Sequence, residues 1–176
     1  IRKAVGTPLE QEYVRYTYTA NRDIASIKDA NENVATYQYD ELNRLKRWNF
    51  PSPGSAGVTS ASDYEEYGYD LNGNRTSWRR RNGNTIAYTY DALNRVTLKS
   101  APANGSVPAE DVYYGYDNRN LQIYARFGHI YGQGVTTSYD TAGQVFWTST
   151  DMGGASRLIA YQYDLNGNRT RVTHPD

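Results

Sequence analysis

The stretch TIAYTYDALNRVTLKS at residues 85–100 decides the fold. Ile86, Tyr88 and Tyr90 alternate with small or polar residues, so in an extended chain all three project from one face. Asp91 to Arg95 then breaks the alternation with Asx-rich sequence, in which Asn94 tolerates the positive φ that a tight turn demands. Val96 and Leu98 resume the two-residue period. The segment therefore reads as strand, turn, strand: one β-hairpin.

Working outward, the same signature recurs along the chain. Tyr-x-Tyr-Asp stands at Tyr37, Tyr39 and Asp40, at Tyr67, Tyr69 and Asp70, at Tyr88, Tyr90 and Asp91, at Tyr114, Tyr116 and Asp117, and at Tyr161, Tyr163 and Asp164. Tyr139 and Asp140 keep the second half of the motif, and Tyr16 with Tyr18 form a weaker copy without the Asp. Counted on the second tyrosine, the intervals are 21, 30, 21, 26, 23 and 24 residues. Asn-Gly and Asx clusters follow most copies, as in DLNGN after Tyr69 and after Tyr163, and these are turn signals. The chain is thus expected to be all-β: about seven tandem hairpins, each roughly two dozen residues long, over 1–176 as a single array. No segment sustains the apolar spacing of a helix. Residues 49–62 and 100–109 carry four of the six prolines and read as loop insertions between hairpins.

Composition fits a wet β structure rather than an oily globule. Leu, Ile, Val and Phe together are roughly 16% of the chain, a value that signals disorder when net charge is high. Here the formal net charge is zero, and 18 tyrosines supply burial in place of aliphatic side chains. A lone hairpin cannot bury such a face, but stacked hairpins can, each adding a tyrosine rung to a ladder of rings and hydroxyls. Repeated Asp and Asn side chains would satisfy turn amides and neighbouring hydroxyls. The motif residues are accordingly expected to be structural. Free end strands at Tyr16 and after Asp164 would be open to pairing.

Little points to chemistry. The chain has no cysteine, which excludes disulfides and thiolate metal sites. His129 and His174 lie in different repeats without neighbouring acidic clusters. DLNGN after Tyr69 and after Tyr163 resembles a calcium loop superficially, but the sixth and twelfth positions are Arg75 and Arg81 in one and Arg169 and Pro175 in the other. Arg79, Arg80 and Arg81 after Trp78 read as a solvated strand edge, where charge discourages stray pairing. Balanced charge argues against nucleic acid as a partner, and no apolar run suggests membrane insertion. The sequons at Asn74, Asn104 and Asn168 carry little information, two being the repeat signature itself. No catalytic residues, metal ligands or cofactor site are expected.

YDALNRV and YDLNGNRT, each closing a Tyr-x-Tyr strand, resemble the RHS or YD-repeat family over about residues 13–175. The resemblance implies hairpins joined in one continuous sheet that spirals into a hollow shell. Such shells enclose a toxic C-terminal domain in bacterial polymorphic toxins and insecticidal toxin complexes, and a related barrel occurs in teneurins. It implies a non-catalytic scaffold or shell segment of a large secreted or cell-surface protein, bacterial in origin, whose partners are flanking YD repeats, other copies of itself or an enclosed toxin domain. Two alternatives are a self-assembling filament of head-to-tail repeats and a carbohydrate- or receptor-binding surface using Tyr, Trp48, Trp78 and Asn side chains. The start at Ile1 and the THPD ending at Asp176 suggest a piece of a longer array.

Overall fold

The computed structural model describes residues 1–175, so the final residue of THPD lies outside the described residues. The all-β expectation holds, with no helix among those residues. The strands are β1 (Arg2–Lys3), β2 (Gln11–Glu12), β3 (Val14–Tyr18), β4 (Ile24–Asp29), β5 (Val34–Tyr39), β6 (Leu45–Pro51), β7 (Thr59–Tyr69) and β8 (Arg75–Arg79). They continue as β9 (Thr85–Tyr90), β10 (Val96–Ala101), β11 (Glu110–Tyr116), β12 (Gln122–Phe127), β13 (Gly134–Tyr139), β14 (Val145–Met152), β15 (Ala155–Tyr163) and β16 (Arg169–Thr173). The first two form a small pair, and β3 to β16 form a 14-stranded sheet in which each strand neighbours the next in sequence. The chain divides into two compact units, one from Ile1 to Ile86 and one from Ala87 onward.

Every motif hairpin is built alike. In β5–β6 the Asp40 amide donates to the Arg44 carbonyl and the Asn43 amide to the Asp40 carbonyl, closing a three-residue loop. The third loop residue is left-handed each time: Arg22, Asn43, Gly73, Asn94, Asn120, Gly143 and Gly167, with φ from 59° to 87°. Asn and Gly fill six of these seven places because they pay least for that conformation. A second feature was not legible in the alternation pattern. Just beyond each turn the register slips by one residue, so that Tyr39 faces Leu45 while Gln38 faces Arg47. The same bulge recurs beside Tyr18, Tyr69, Tyr90, Tyr116, Tyr139 and Tyr163. Such a bulge increases strand twist.

Between hairpins the register also repeats. The residue facing a repeat's first tyrosine position pairs, on its other side, with the residue two before that position in the next repeat. Trp48 faces Tyr37 and Glu65, and Lys99 faces Tyr88 and Val112. Ile27, Ala125 and Thr148 obey the same rule, facing Ala35, Val135 and Ile159. Residues opposite one another, or two apart along a strand, share a face. Hence within the first unit the motif tyrosines from Tyr16 to Tyr69 lie on one face, and within the second those from Tyr88 to Tyr163 do.

Two expectations need correction. The proline-bearing insertions are shorter than 49–62 and 100–109: Pro51 pairs with Thr59, and Ser100 and Ala101 pair with Asp111 and Glu110. The hairpin arms zip outward until the chain must turn, and proline is tolerated at the strand's end. Arg79 to Arg81 are not a solvated edge either. The β8 strand is interior to the sheet, and Arg79 and Arg80 are half-covered, whereas Arg81, beyond the strand's end, stays exposed. The guanidinium of Arg79 lies over the Tyr64 ring and that of Arg81 over Phe50, since an arginine can bury its planar face on an aromatic while keeping its donors paired.

Burial is unusual for a chain of this size. Among the described residues only Ile86, Asn49 and Gly134 are buried, the first two at 5% and 8% exposure. Most other strand residues are half-covered. The sheet is held by cross-strand pairs and hydrogen bonds instead of a packed oil core.

Candidate functional site

The repeated chemistry lies at the seams between hairpins, and it begins with the motif aspartates. The carboxylate of Asp40 accepts the amides of Leu42 and Arg44 on one oxygen and the Arg44 side chain on the other. Asp91 does the same with Leu93 and Arg95. In the DLNGN turns an Asn side chain replaces the guanidinium: Asn74 on Asp70 and Asn168 on Asp164. Asp117 binds Arg119 and Leu121, and Asp140 binds Ala142 and Gln144. These donors hold several carboxyls below their ordinary range: chiefly the Arg44 amide for Asp40, the Arg95 side chain for Asp91, and the Asn74 and Asn168 side chains for Asp70 and Asp164. The carboxylates of DLNGN are thus turned onto their own loops, the opposite of an open calcium cradle.

In five motifs the second tyrosine reaches back to the repeat before it. The hydroxyl of Tyr39 donates to the Ile24 carbonyl at 3.0 Å, and that of Tyr69 to Leu45 at 2.9 Å. Tyr116 donates to Val96 at 3.0 Å, Tyr139 to Gln122 at 3.0 Å and Tyr163 to Val145 at 3.1 Å. The acceptor is always the residue that faces the preceding repeat's second tyrosine, as Leu45 faces Tyr39 and Val96 faces Tyr90. Tyr90 holds the same register in its own hairpin.

Arginines reach the other way. Arg44 donates to the Asp70 carbonyl at 2.9 Å, Arg95 to the Asp117 carbonyl at 3.2 Å, and Arg119 to the Asp140 carbonyl at 2.6 Å. The first two guanidiniums also cover the next repeat's tyrosine, Arg44 over Tyr69 at 4.6 Å and Arg95 over Tyr116 at 4.7 Å. Five seams therefore carry a hydroxyl donated backward and, at three of them, a guanidinium donated forward. The expected ladder of tyrosine hydroxyls with neighbouring Asp and Asn is corrected on this point. Backbone carbonyls take the second tyrosine's hydroxyl because the motif carboxylates are already occupied by their turns. The arginine role was missed, although the NR of ELNR and ALNR was its visible signal.

The first tyrosines are more varied. Tyr37 stacks on Trp48 at 5.7 Å, and Trp48 meets Phe50 at 4.2 Å. Tyr67 donates to Glu65 at 2.5 Å, and burial together with that carboxylate pushes its phenol up. Trp78 also donates to Glu65, at 3.3 Å. Tyr88 faces Lys99, Tyr114 faces Ala125, and Tyr161 faces Val172. Asp63 and Arg81 close this patch with a two-pronged ion pair at 2.6 and 2.8 Å. Elsewhere, the Nδ1 of His129 accepts the Tyr131 amide, a local loop contact. Among the described residues no three His, Asp or Glu side chains gather as metal ligands would.

The fold and its repeated seams define a class, an array of antiparallel hairpins latched through tyrosine and arginine, and solved structures share the fold. The RHS Repeat family model matches residues 69–107. No curated protein sequence matches. Among solved structures, the TcdB2-TccC3-Cdc42 crystal structure is similar with a TM-score of 0.74 and 16% identity, over 92% of this chain and 9% of that one. TcdB2-TccC3 without its hypervariable C-terminal region gives a TM-score of 0.73 and 17% identity, with the same coverage. The Photorhabdus luminescens Tc holotoxin pore gives 0.54 and 16%, over 95% of this chain and 11% of that one. The chain thus spans about a tenth of the length of the solved proteins whose fold it shares.

Proposed function

We propose that this chain is a non-catalytic structural segment of a large secreted or cell-surface bacterial YD-repeat protein, part of a wall that encloses a toxin domain. The observation that carries this reading is the seam. The second tyrosines and the motif aspartates spend their polar atoms on the neighbouring hairpin or on their own turn, which is what a wall requires and a catalytic site does not. On this reading Tyr37 to Asp164 of the motif set act structurally, and 1–176 functions as one array. The fold shared with Tc toxin proteins supports it. Electron cryomicroscopy of the protein isolated from its producing cells provides the test. A hollow particle with this sheet in its wall is expected; a solid particle, or a sheet open to solvent on both faces, refutes enclosure.

A further inference from the structure

Asn-Gly occurs four times, at Asn72-Gly73, Asn82-Gly83, Asn104-Gly105 and Asn166-Gly167. The dipeptide is chemically labile, because a glycine leaves its amide nitrogen unhindered beside the asparagine side chain. All eight residues are exposed, so access to water does not separate the four sites. The glycine amide does. Gly73 donates to the Asp70 carbonyl at 3.2 Å, Gly83 to Arg80 at 2.9 Å and Gly167 to Asp164 at 3.0 Å. The Gly105 amide donates to no acceptor among the described residues.

The surroundings sharpen the contrast. The Asp70 carboxylate also accepts the Asn72 and Asn74 amides, and the Asp164 carboxylate those of Asn166 and Asn168. The side-chain oxygen of Asn82 accepts the Asn84 amide, which holds that side chain on its own loop. A Cβ on Gly73 would lie 4.0 Å from an Arg44 nitrogen, one on Gly83 3.7 Å from an Arg79 nitrogen, and one on Gly167 2.9 Å from the Gln144 side-chain nitrogen. One on Gly105 would meet nothing within 4 Å. Asn104 belongs to an inter-hairpin insertion instead of a motif turn. It faces Val107 across a two-residue tip, the two exchanging amide-to-carbonyl bonds at 2.9 and 3.1 Å, and every residue from Ala103 to Glu110 is exposed.

We infer that Asn104 is a site of spontaneous deamidation and that the fold protects the other three asparagines. Hydroxide removes the Gly105 amide proton, and the bared nitrogen attacks the Asn104 side-chain carbon. The bond from that carbon to the side-chain nitrogen breaks. The freed nitrogen takes a proton from water and leaves as ammonia, which restores the hydroxide. Water then opens the cyclic imide at one or the other carbonyl, leaving aspartate or isoaspartate at position 104. In the three turns, the proton that must leave is held in a hydrogen bond, and that bond keeps the nitrogen in the plane of its own turn. The product sets a negative charge into the tip of one insertion and, in the isoaspartate form, an extra main-chain carbon. This holds whatever the array encloses.

Peptide mapping by mass spectrometry, on the whole folded chain held at mildly alkaline pH, tests it. Conversion at Asn104 should outrun that at Asn72, Asn82 and Asn166 by roughly fivefold or more, the worth of one net hydrogen bond. In concentrated urea, where the turns are lost, the four rates should converge. Labelling with an isoaspartyl methyltransferase should mark position 104 first in the folded chain. Asn104→Gln, whose longer side chain closes the imide far more slowly, should remove the fast phase of ammonia release and leave the circular dichroism unchanged. Amide exchange supplies an independent readout: Gly105 should exchange ahead of Gly73, Gly83 and Gly167. Equal rates at the four sites in the folded chain, a turn asparagine converting first, a lead for Asn104 that persists undiminished in urea, or a Gly105 amide as protected as the turn glycines would each overturn the assignment.

Discussion

Replacing Tyr116 in two steps separates what its hydroxyl and its ring contribute to a seam. Tyr116→Phe deletes the 3.0 Å bond to the Val96 carbonyl and leaves the ring under Arg95. One net hydrogen bond is worth about 1 kcal/mol, and the stranded carbonyl keeps the loss near that figure. Tyr116→Ala also deletes the ring. A fully buried aromatic costs ~3–5 kcal/mol on truncation, and a half-covered ring should lose about half of that. The Arg95 guanidinium 4.7 Å from the ring centroid adds ~0.5–1 kcal/mol. The alanine variant should therefore lose about 3 kcal/mol in all. Tyr113, beside it on the opposite face, makes no such reach, and Tyr113→Phe should stay within about 0.5 kcal/mol of wild type. Urea titration gives the totals. Amide exchange should place the loss in Val96–Ala101 and Glu110–Tyr116, because repeat arrays respond locally. If Tyr116→Phe were as stable as wild type while the alanine variant lost its full amount, the hydroxyl would not be what couples the repeats. If Tyr113→Phe cost as much, the seam would have no special place in stability.

Three further outcomes follow from the geometry. A Cβ on Gly115 would lie 2.0 Å from the Tyr124 ring, whereas one on Gly68, at the same motif position, would meet only the Ser77 hydroxyl at 2.4 Å. Gly115→Ala should thus cost ~1–3 kcal/mol by urea titration, and Gly68→Ala clearly less, because a serine hydroxyl can rotate away and a ring pinned across a strand cannot. Asp91 titrates below the usual carboxylate range, first through the Arg95 side chain, so its folded form binds a proton less readily than the unfolded chain. Its contribution is then present above about pH 4 and lost as pH falls through the depressed value, and Asp91→Asn should flatten the acid side of a stability-versus-pH curve. Asn94 sits at φ 61°: Asn94→Val should cost ~1–2 kcal/mol more than Asn94→Gly in thermal unfolding, while equal effects would show that the left-handed turn is not required.

What the sequence determined by itself was local and periodic. Tyr-x-Tyr sets two rings on one face because a strand alternates with period two. Asp followed by Asn or Gly sets the turn because few other residues accept positive φ. Those rules act within a few residues, so they can be read from a single chain, and their recurrence names the hairpin array. What the tertiary structure decided lies across strands. The bulge beyond each turn depends on how two strands share a register, and no residue type marks it. That Arg44 clamps the Asp70 carbonyl, 26 residues away, follows from the lateral spacing of hairpins. Without that spacing the same arginine reads as part of a polar turn. The destination of the tyrosine hydroxyl is likewise set by the carbonyl of a strand that the motif itself does not contain. Neighbours in sequence fixed the unit; only neighbours in the sheet could fix what one unit offers the next.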